Sequence, residues 1–225
     1  MDKKFYKIGI IGGTGKEGKG LAYRWALAGH EVIIGSRQYE KAQAAVESLS
    51  EILGESSSLL MGMENREAVS ACDIAVITVP YAAHKATLDD LKDALDGKIL
   101  IDVVVPIVPP KVTKVQMPKA GSVAQEAQAI LGDNCSVVDA FQNISYERLM
   151  GEGDTDCDVL VCGKGKAARQ VVLGLVADTG LKGWDAGVIE NAVVVEGLTS
   201  VLIGLNIQHK VHASGIRITG IPDQD

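Results

Sequence analysis

The sequence predicts an α/β chain in which a mostly parallel sheet is doubly wound, with helices on both faces. Three observations predict it. The apolar run Ile8-Gly9-Ile10-Ile11 breaks into Gly12-Gly13-Thr14-Gly15-Lys16-Glu17-Gly18 and then opens an amphipathic stretch, the pattern of a buried strand feeding a tight turn and a helix. Ile74-Ala75-Val76-Ile77-Thr78-Val79 is a nearly continuous apolar run ended by Pro80, as expected for a strand covered on both faces. The composition, 47% hydrophobic with 25 glycines and only 4% aromatics, suits a compact core built from Val, Ile, Leu and Ala. Together these read as a Rossmann-type sheet followed by a small C-terminal α/β segment containing a long apolar helix.

In Gly13-x-Gly15-x-x-Gly18, Gly13 is expected to take a positive φ, Gly15 to let the backbone approach a ligand, and Gly18 to let helix pack on strand. The helix, expected over 19–28, presents unpaired N–H groups above the turn, which favours a pyrophosphate. A second strand is expected over 30–35. Sites for the unphosphorylated dinucleotide place an Asp or Glu at its end, about 20 residues past the glycines. Here Gly35-Ser36-Arg37 stands there instead. An Arg fork and a short hydroxyl suit a 2′-phosphate that a carboxylate would repel, so the expected cofactor is NADP, with Lys41 adding a second charge one helical turn on.

A helix over 39–53, a short strand over 58–61 and a brief helix over 65–71 follow. Ligands of doubly wound sheets lie beyond the carboxyl ends of the strands, which places Thr78, Val79, Pro80, Tyr81 and His84 near the cofactor. His84 is expected to begin a helix running to Leu95. A strand over 98–105 gives way to a Pro-rich loop, a helix capped by Ser122 reaches Leu131, and a strand covers 135–140. From Tyr146 the pattern loosens through Gly151-Glu152-Gly153-Asp154, so the expected division is a dinucleotide domain over 1–145 and a smaller domain over 146–225. The second holds a strand over 158–162, a helix over 166–179 and the apolar segment 189–207, in which Glu196, Thr199, Ser200 and Asn206 gather on one side.

The net charge of −7 argues against a general nucleic-acid binder. Cys72, Cys135, Cys157 and Cys162 have no CxxC or matched histidine spacing, so buried free thiols are expected and no metal site. Met1-Asp2-Lys3-Lys4 runs straight into the first strand and the apolar segment is interrupted by polar residues, so a cytoplasmic protein with no membrane span is expected. The long apolar helix is expected to lie in the second domain or against a second subunit, in a dimer or higher homo-oligomer.

Gly12-Gly13-Thr14-Gly15 with Gly18, Gly35-Ser36-Arg37, Asp158-Val159-Leu160-Val161-Cys162-Gly163, Asp185-Ala186-Gly187, Asn191, Glu196-Gly197-Leu198-Thr199 and the tail Gly215-Ile216-Arg217-Ile218-Thr219-Gly220 resemble the NADPH-dependent coenzyme F420 reductases, over nearly the whole chain. The resemblance implies hydride transfer between C4 of nicotinamide and the deazaflavin carbon of F420. It also implies NADP contacts at Thr14, Gly15, Lys16 and Glu17, at Ser36, Arg37 and Lys41, and at His84. Where it implies an Arg between Asn191 and Glu196, this chain has Val193. Direct ring-to-ring transfer needs no nucleophile or general acid, so no catalytic side chain is nominated. Two other readings stand beside it: an NADPH-dependent reductase of a small imine or keto acid, and a non-catalytic NADP sensor.

Overall fold

The computed structural model describes residues 4–151 and 156–222. Its frame is one eight-stranded sheet in the order β3-β2-β1-β4-β5-β6-β7-β8. The strands are β1 (Lys7–Ile11), β2 (Glu31–Ser36), β3 (Leu60–Glu64), β4 (Ile74–Ile77), β5 (Ile99–Asp102), β6 (Ser136–Asp139), β7 (Asp158–Gly163) and β8 (Lys182–Gly187). All neighbours run parallel except β6 and β7, which pair antiparallel through Val138 with Gly163 and Asp139 with Cys162. The helices are α1 (Lys16–Leu27), α2 (Tyr39–Leu53), α3 (Asn65–Ala71), α4 (Tyr81–Leu91), α5 (Val123–Leu131), α6 (Tyr146–Met150), α7 (Lys166–Asp178) and α8 (Ala192–His209).

The period-two alternation of a strand explains why the strand sequences are apolar throughout. Ile8, Ile10, Ile74, Val76, Val159 and Val161 point to one face, where α1, α2, α6 and α7 cover them. Ile11, Ala75, Ile77 and Cys162 point to the other, under α3, α4, α5 and the start of α8. Trp25 of α1 fills the centre of the first face, donates its indole N–H to the Leu175 carbonyl at 3.0 Å and meets Phe141 edge-on at 5.8 Å. That core runs from Ile8 to Leu181, so residues on both sides of position 145 share one sheet and one cluster. All four cysteines are buried and free.

Several expected bounds shift for physical reasons. The positive φ in the first turn falls on Gly12 (φ +71°), not on Gly13. Gly13 is instead bound by its N–H to the Ile10 and Gly35 carbonyls, and a Cβ on Gly18 would sit 2.6 Å from Gly13 Cα. Helix α1 therefore starts at Lys16, three residues earlier than expected. Helix α4 starts at Tyr81 behind Pro80, whose fixed φ and missing N–H suit a helix entry. His84 is thus one turn inside the helix on its inner face. Strand β8 went unread because it is a half-exposed edge strand, Lys182-Gly183-Trp184-Asp185-Ala186-Gly187, without an apolar run. Helix α6 is a five-residue piece opened by Ser145, whose hydroxyl accepts from Glu147 N–H, and is too short for periodicity to show. Part of the loop after it, 152–155, lies outside the described residues.

Helix α8 inverts the usual arrangement. Its polar side chains Glu196 and Ser200 are buried, while Val194 is 63% and Ile207 65% exposed. Glu196 and Thr199 have identified partners. Glu196 takes the N–H groups of Val123 and Ala124 at 2.8 and 3.0 Å, closing the N-terminus of α5 beside the Ser122 cap. Thr199 donates to the Gln142 carbonyl at 2.8 Å and accepts from the Asn143 side chain at 3.3 Å. The Glu196-Gly197-Leu198-Thr199 motif is therefore a clamp that fixes the 141–144 turn. The tail is held likewise: Asp158 takes the Ile218 N–H and the Trp184 indole N–H on Oδ2, both at 2.7 Å.

Candidate functional site

Two cavities open at the carboxyl ends of β1, β2, β4, β5 and β6, where a doubly wound sheet presents its ligand. The first, about 600 Å³, runs from the glycine turn to the end of β2 and is lined by Gly12, Thr14, Gly15, Ser36, Arg37, Gln38, Lys41, Asn65, Thr78, Val79, Pro80, Ala83 and Thr87. The second, about 470 Å³, is lined by Glu17, Thr78, Val79, Pro80, Tyr81, Val103, Val104, Val105, Ile107, Phe141, Gln142, Ile144 and Thr199. Thr78, Val79 and Pro80 line both, so the cavities meet at the end of β4.

The first cavity is polar and cationic at its far end. Arg37 and Lys41 are both exposed, and no carboxylate lines the cavity with them. Ser36 is buried, its Oγ taking the Gln38 N–H at 3.3 Å. At the other end the unpaired N–H groups of α1 face the groove. A Cβ on Gly15 would meet only the Gly12 carbonyl at 3.9 Å, so the space above it is open to a ligand. Asn65 anchors the turn by accepting the Gly12 N–H at 3.1 Å. The sequence reading did not single out Asn65, although its place after a short strand in a βαβ repeat is a usable signal.

The second cavity is mostly apolar. Val103 to Val105 and Ile107 form one wall, Phe141 and Ile144 another. Phe141 holds a positive φ of 74°, an uncommon conformation for an aromatic residue, where the chain turns between β6 and α6. Behind this turn Gln142 donates from Nε2 to the Asp102 carbonyl at 2.6 Å and to Asp139. Burial beside Glu196 and Asp102 pushes the Asp139 carboxyl well above the usual range. Tyr81 lines the cavity, its hydroxyl donating to Glu126 at 3.0 Å. Burial and that carboxylate push the phenol up to about 12.

The structure brings together most of the residues nominated from sequence. Thr14, Gly15, Ser36, Arg37, Lys41, Val79 and Pro80 line the first cavity, with Gly12 in the place expected for Gly13. Three nominated residues stand elsewhere. Lys16 lies with Nζ 2.9 Å from the Tyr146 hydroxyl and 4.6 Å above its ring. Glu17 lines the second cavity instead of the first, and burial pushes its carboxyl up to about 8. His84 lines neither. It is 1% exposed and its Nε2 is 2.8 Å from Oδ2 of the fully buried Asp102.

Residues 7–106 match the family described as NADP oxidoreductase, coenzyme F420-dependent. The F420-dependent NADP reductase of Methanocaldococcus jannaschii is 39% identical over 222 residues, covering 96% of this chain and 99% of its own. That of Methanothermobacter marburgensis is 40% identical over 223 residues, covering 96% of this chain and 100% of its own. A crystal structure from Arthrobacter sp. FB24, of a proposed F420-dependent NADP reductase, superposes with a TM-score of 0.80 at 25% identity, covering 96% of this chain and all of that one.

Proposed function

The chain belongs to the F420-dependent NADP reductases, oxidoreductases that work on NADP(H) and coenzyme F420, and from that membership we propose how its two cavities divide the task. The first cavity takes NADP(H). Arg37 and Lys41 hold the 2′-phosphate, Ser36 adds a hydroxyl, and the α1 N-terminus with Thr14 and Gly15 holds the pyrophosphate. The observation that carries this reading is the pair of cations at the end of β2 in a cavity whose lining includes no carboxylate.

The second cavity takes the rings. Val79 and Pro80 pass the cofactor from one cavity to the other, and Phe141, Ile144 and the Val103–Val105 wall exclude water around the reacting carbons. The bound rings supply the hydride chemistry between them, so the chain's work is to hold them in contact and dry. We place the F420 wall on residues 146–225, chiefly through α8, because Thr199 both lines this cavity and pins the turn opposite.

Purified protein mixed with NADPH and oxidised F420 is expected to bleach the visible absorbance of the deazaflavin, at a rate that saturates in both. No bleaching with F420, together with turnover of NADPH on a cyclic imine, would replace this reading with the imine reductase one.

We also propose that the outward apolar side of α8 is a homodimer interface. Val193, Val194, Val201, Leu205 and Ile207 are exposed there, an apolar strip that a second copy would cover. The native chain is expected to sediment as a dimer, and V194D with I207D to sediment at half that mass. A native monomer at micromolar concentration would refute the interface. Residues 189–209 form the one described stretch long and apolar enough to cross a membrane, but α8 packs against α5 and β7. We therefore read it as a helix of the fold and the enzyme as cytoplasmic.

A further inference from the structure

Two buried side-chain oxygens without partners among the described residues belong to residues that line the ring cavity. They are Oε1 of Glu17 and Oε1 of Gln142. Gln142 has spent its amide N–H groups on the Asp102 carbonyl and on Asp139, which fixes its carbonyl oxygen as an acceptor with nothing to accept. Glu17 sits in the first turn of α1, next to the turn proposed to hold the pyrophosphate, and the like charge of that group disfavours a second anion there. An unpaired polar atom is costly when buried, so two on residues that line one cavity point to a ligand that satisfies both.

We infer that Glu17 and Gln142 read an amide edge of a bound ring, Glu17 as a neutral acid donating to its carbonyl and Gln142 accepting its N–H. The inference rests on the assignment of NADP(H) and F420 to these cavities. Both coenzymes carry such an edge: the carboxamide of nicotinamide and the pyrimidinedione of the deazaflavin. No proton is transferred, and the hydride passage proposed above is unchanged; the pair sets which face and orientation of the ring is accepted.

The chemistry of the surroundings agrees. Burial alone holds the Glu17 carboxyl up at about 8, with no charged partner contributing. Other titratable groups around it are occupied elsewhere. Lys16 of α1 is on Tyr146 of α6, and the same hydroxyl lies 3.3 Å from Glu147. Arg148 donates to the Ala213 carbonyl. Besides Glu17 only Tyr81 titrates in the cavity lining, and it is bound to Glu126. Behind Gln142 lie the buried carboxyls of Asp139, which Gln142 contacts, and of Glu196, both raised by burial. E17Q leaves these two in place, so it isolates the part due to Glu17. The 141–144 turn and the Val103–Val105 wall bring no ionisable side chain.

The sign follows from the acid form being the donor. Affinity is full below about pH 8 and is lost as pH rises through it, because the carboxylate then offers charge and no proton. The test is to titrate the native protein with NADP+ by calorimetry and, separately, with oxidised F420 by fluorescence, from pH 7.0 to 9.5. This range lies above the second phosphate pKa of about 6. For the coenzyme whose amide edge is read, native affinity is expected to fall by about 10- to 30-fold across the range, since the neutral fraction falls by that factor. E17Q keeps a donor and is expected to bind at the native pH 7 level and to lose most of the native pH dependence. E17L is expected to bind about 5- to 10-fold more weakly at pH 7, the loss of one hydrogen bond, and to lose most of the pH dependence as well. A response confined to NADP+ assigns the pair to the carboxamide, one confined to F420 assigns it to the pyrimidinedione. Normal binding of both coenzymes with flat native profiles, and E17L as tight as native, would overturn this inference and leave the assignment of the cavities standing. Failure of both to bind at pH 7 would overturn the two together.

Discussion

Replacing Arg37 by alanine raises the KM for NADPH by roughly 10- to 100-fold and leaves kcat at saturating NADPH within about a factor of two. The reason is the position of the side chain. Arg37 stands at the carboxyl end of β2, exposed in the first cavity, while the reacting rings are proposed to lie past Val79 and Pro80 in the second. A guanidinium that grips a phosphate by charge-assisted hydrogen bonds contributes about 1.5–3 kcal/mol, and each 1.4 kcal/mol is tenfold in binding. That energy is the same in the ground state and the transition state, so it appears in KM and not in kcat. The same variant should lose most of its preference for NADPH over NADH, because the 2′-phosphate is the only group that differs. Lys41 alone is a point charge and cannot restore the fork. Native KM should also rise with salt, since the pair is exposed and screened. An unchanged KM in R37A would remove the phosphate site from the end of β2 and with it the division of the cavities.

Much of this arrangement is legible from residues alone, and the reasons are local. Helices Tyr39–Leu53 and Asn65–Ala71 have the bounds that their patterns predict, and the Ser122 cap on α5 forms as read, accepting the Gln125 N–H at 3.0 Å. These features depend on periodicity and capping within one segment. The cationic end of the first cavity is equally local, because Ser36, Arg37 and Lys41 follow one strand directly. What could not be read depends on pairing between distant segments. Glu17 belongs by sequence to the glycine turn, yet it lines the second cavity together with residues of the 141–144 turn, a placement that depends on the packing of α1 on α6. Gln142 is notable only because its amide is committed to Asp102 and Asp139. The polar stripe of α8 is plain on a helical wheel, but its direction is not: a stripe of Glu, Thr and Ser ordinarily faces water. Here it faces inward, because the N-terminus of α5 and the loop after β6 need exactly those acceptors and donors. Such an inversion leaves the aliphatic side outward, which is why the same helix that completes the ring cavity is also proposed to carry the dimer contact.

The other large effect expected is on stability, at His84. As a cofactor ligand the residue would be replaceable at a cost in binding alone; as the structure places it, the cost falls on the fold. His84 and Asp102 are 1% and 0% exposed, and Asp102 spends its second oxygen on the Val104 N–H at 3.0 Å. H84A therefore strands Oδ2 of a buried carboxylate with no donor and opens a void between α4 and the end of β5. Breaking one side of a buried pair costs about 3–5 kcal/mol. In a chain of this size that lowers Tm by on the order of 10 °C. The KM for NADPH of the folded fraction, assayed well below the new Tm, is expected to stay within about threefold of native, since the side chain lines neither cavity. Some loss of kcat is expected, because Val103 to Val105 follow Asp102 directly and form a wall of the ring cavity. A native Tm with a KM raised tenfold or more would instead return His84 to the cofactor, and would require α4 to turn its inner face toward the groove when the dinucleotide binds.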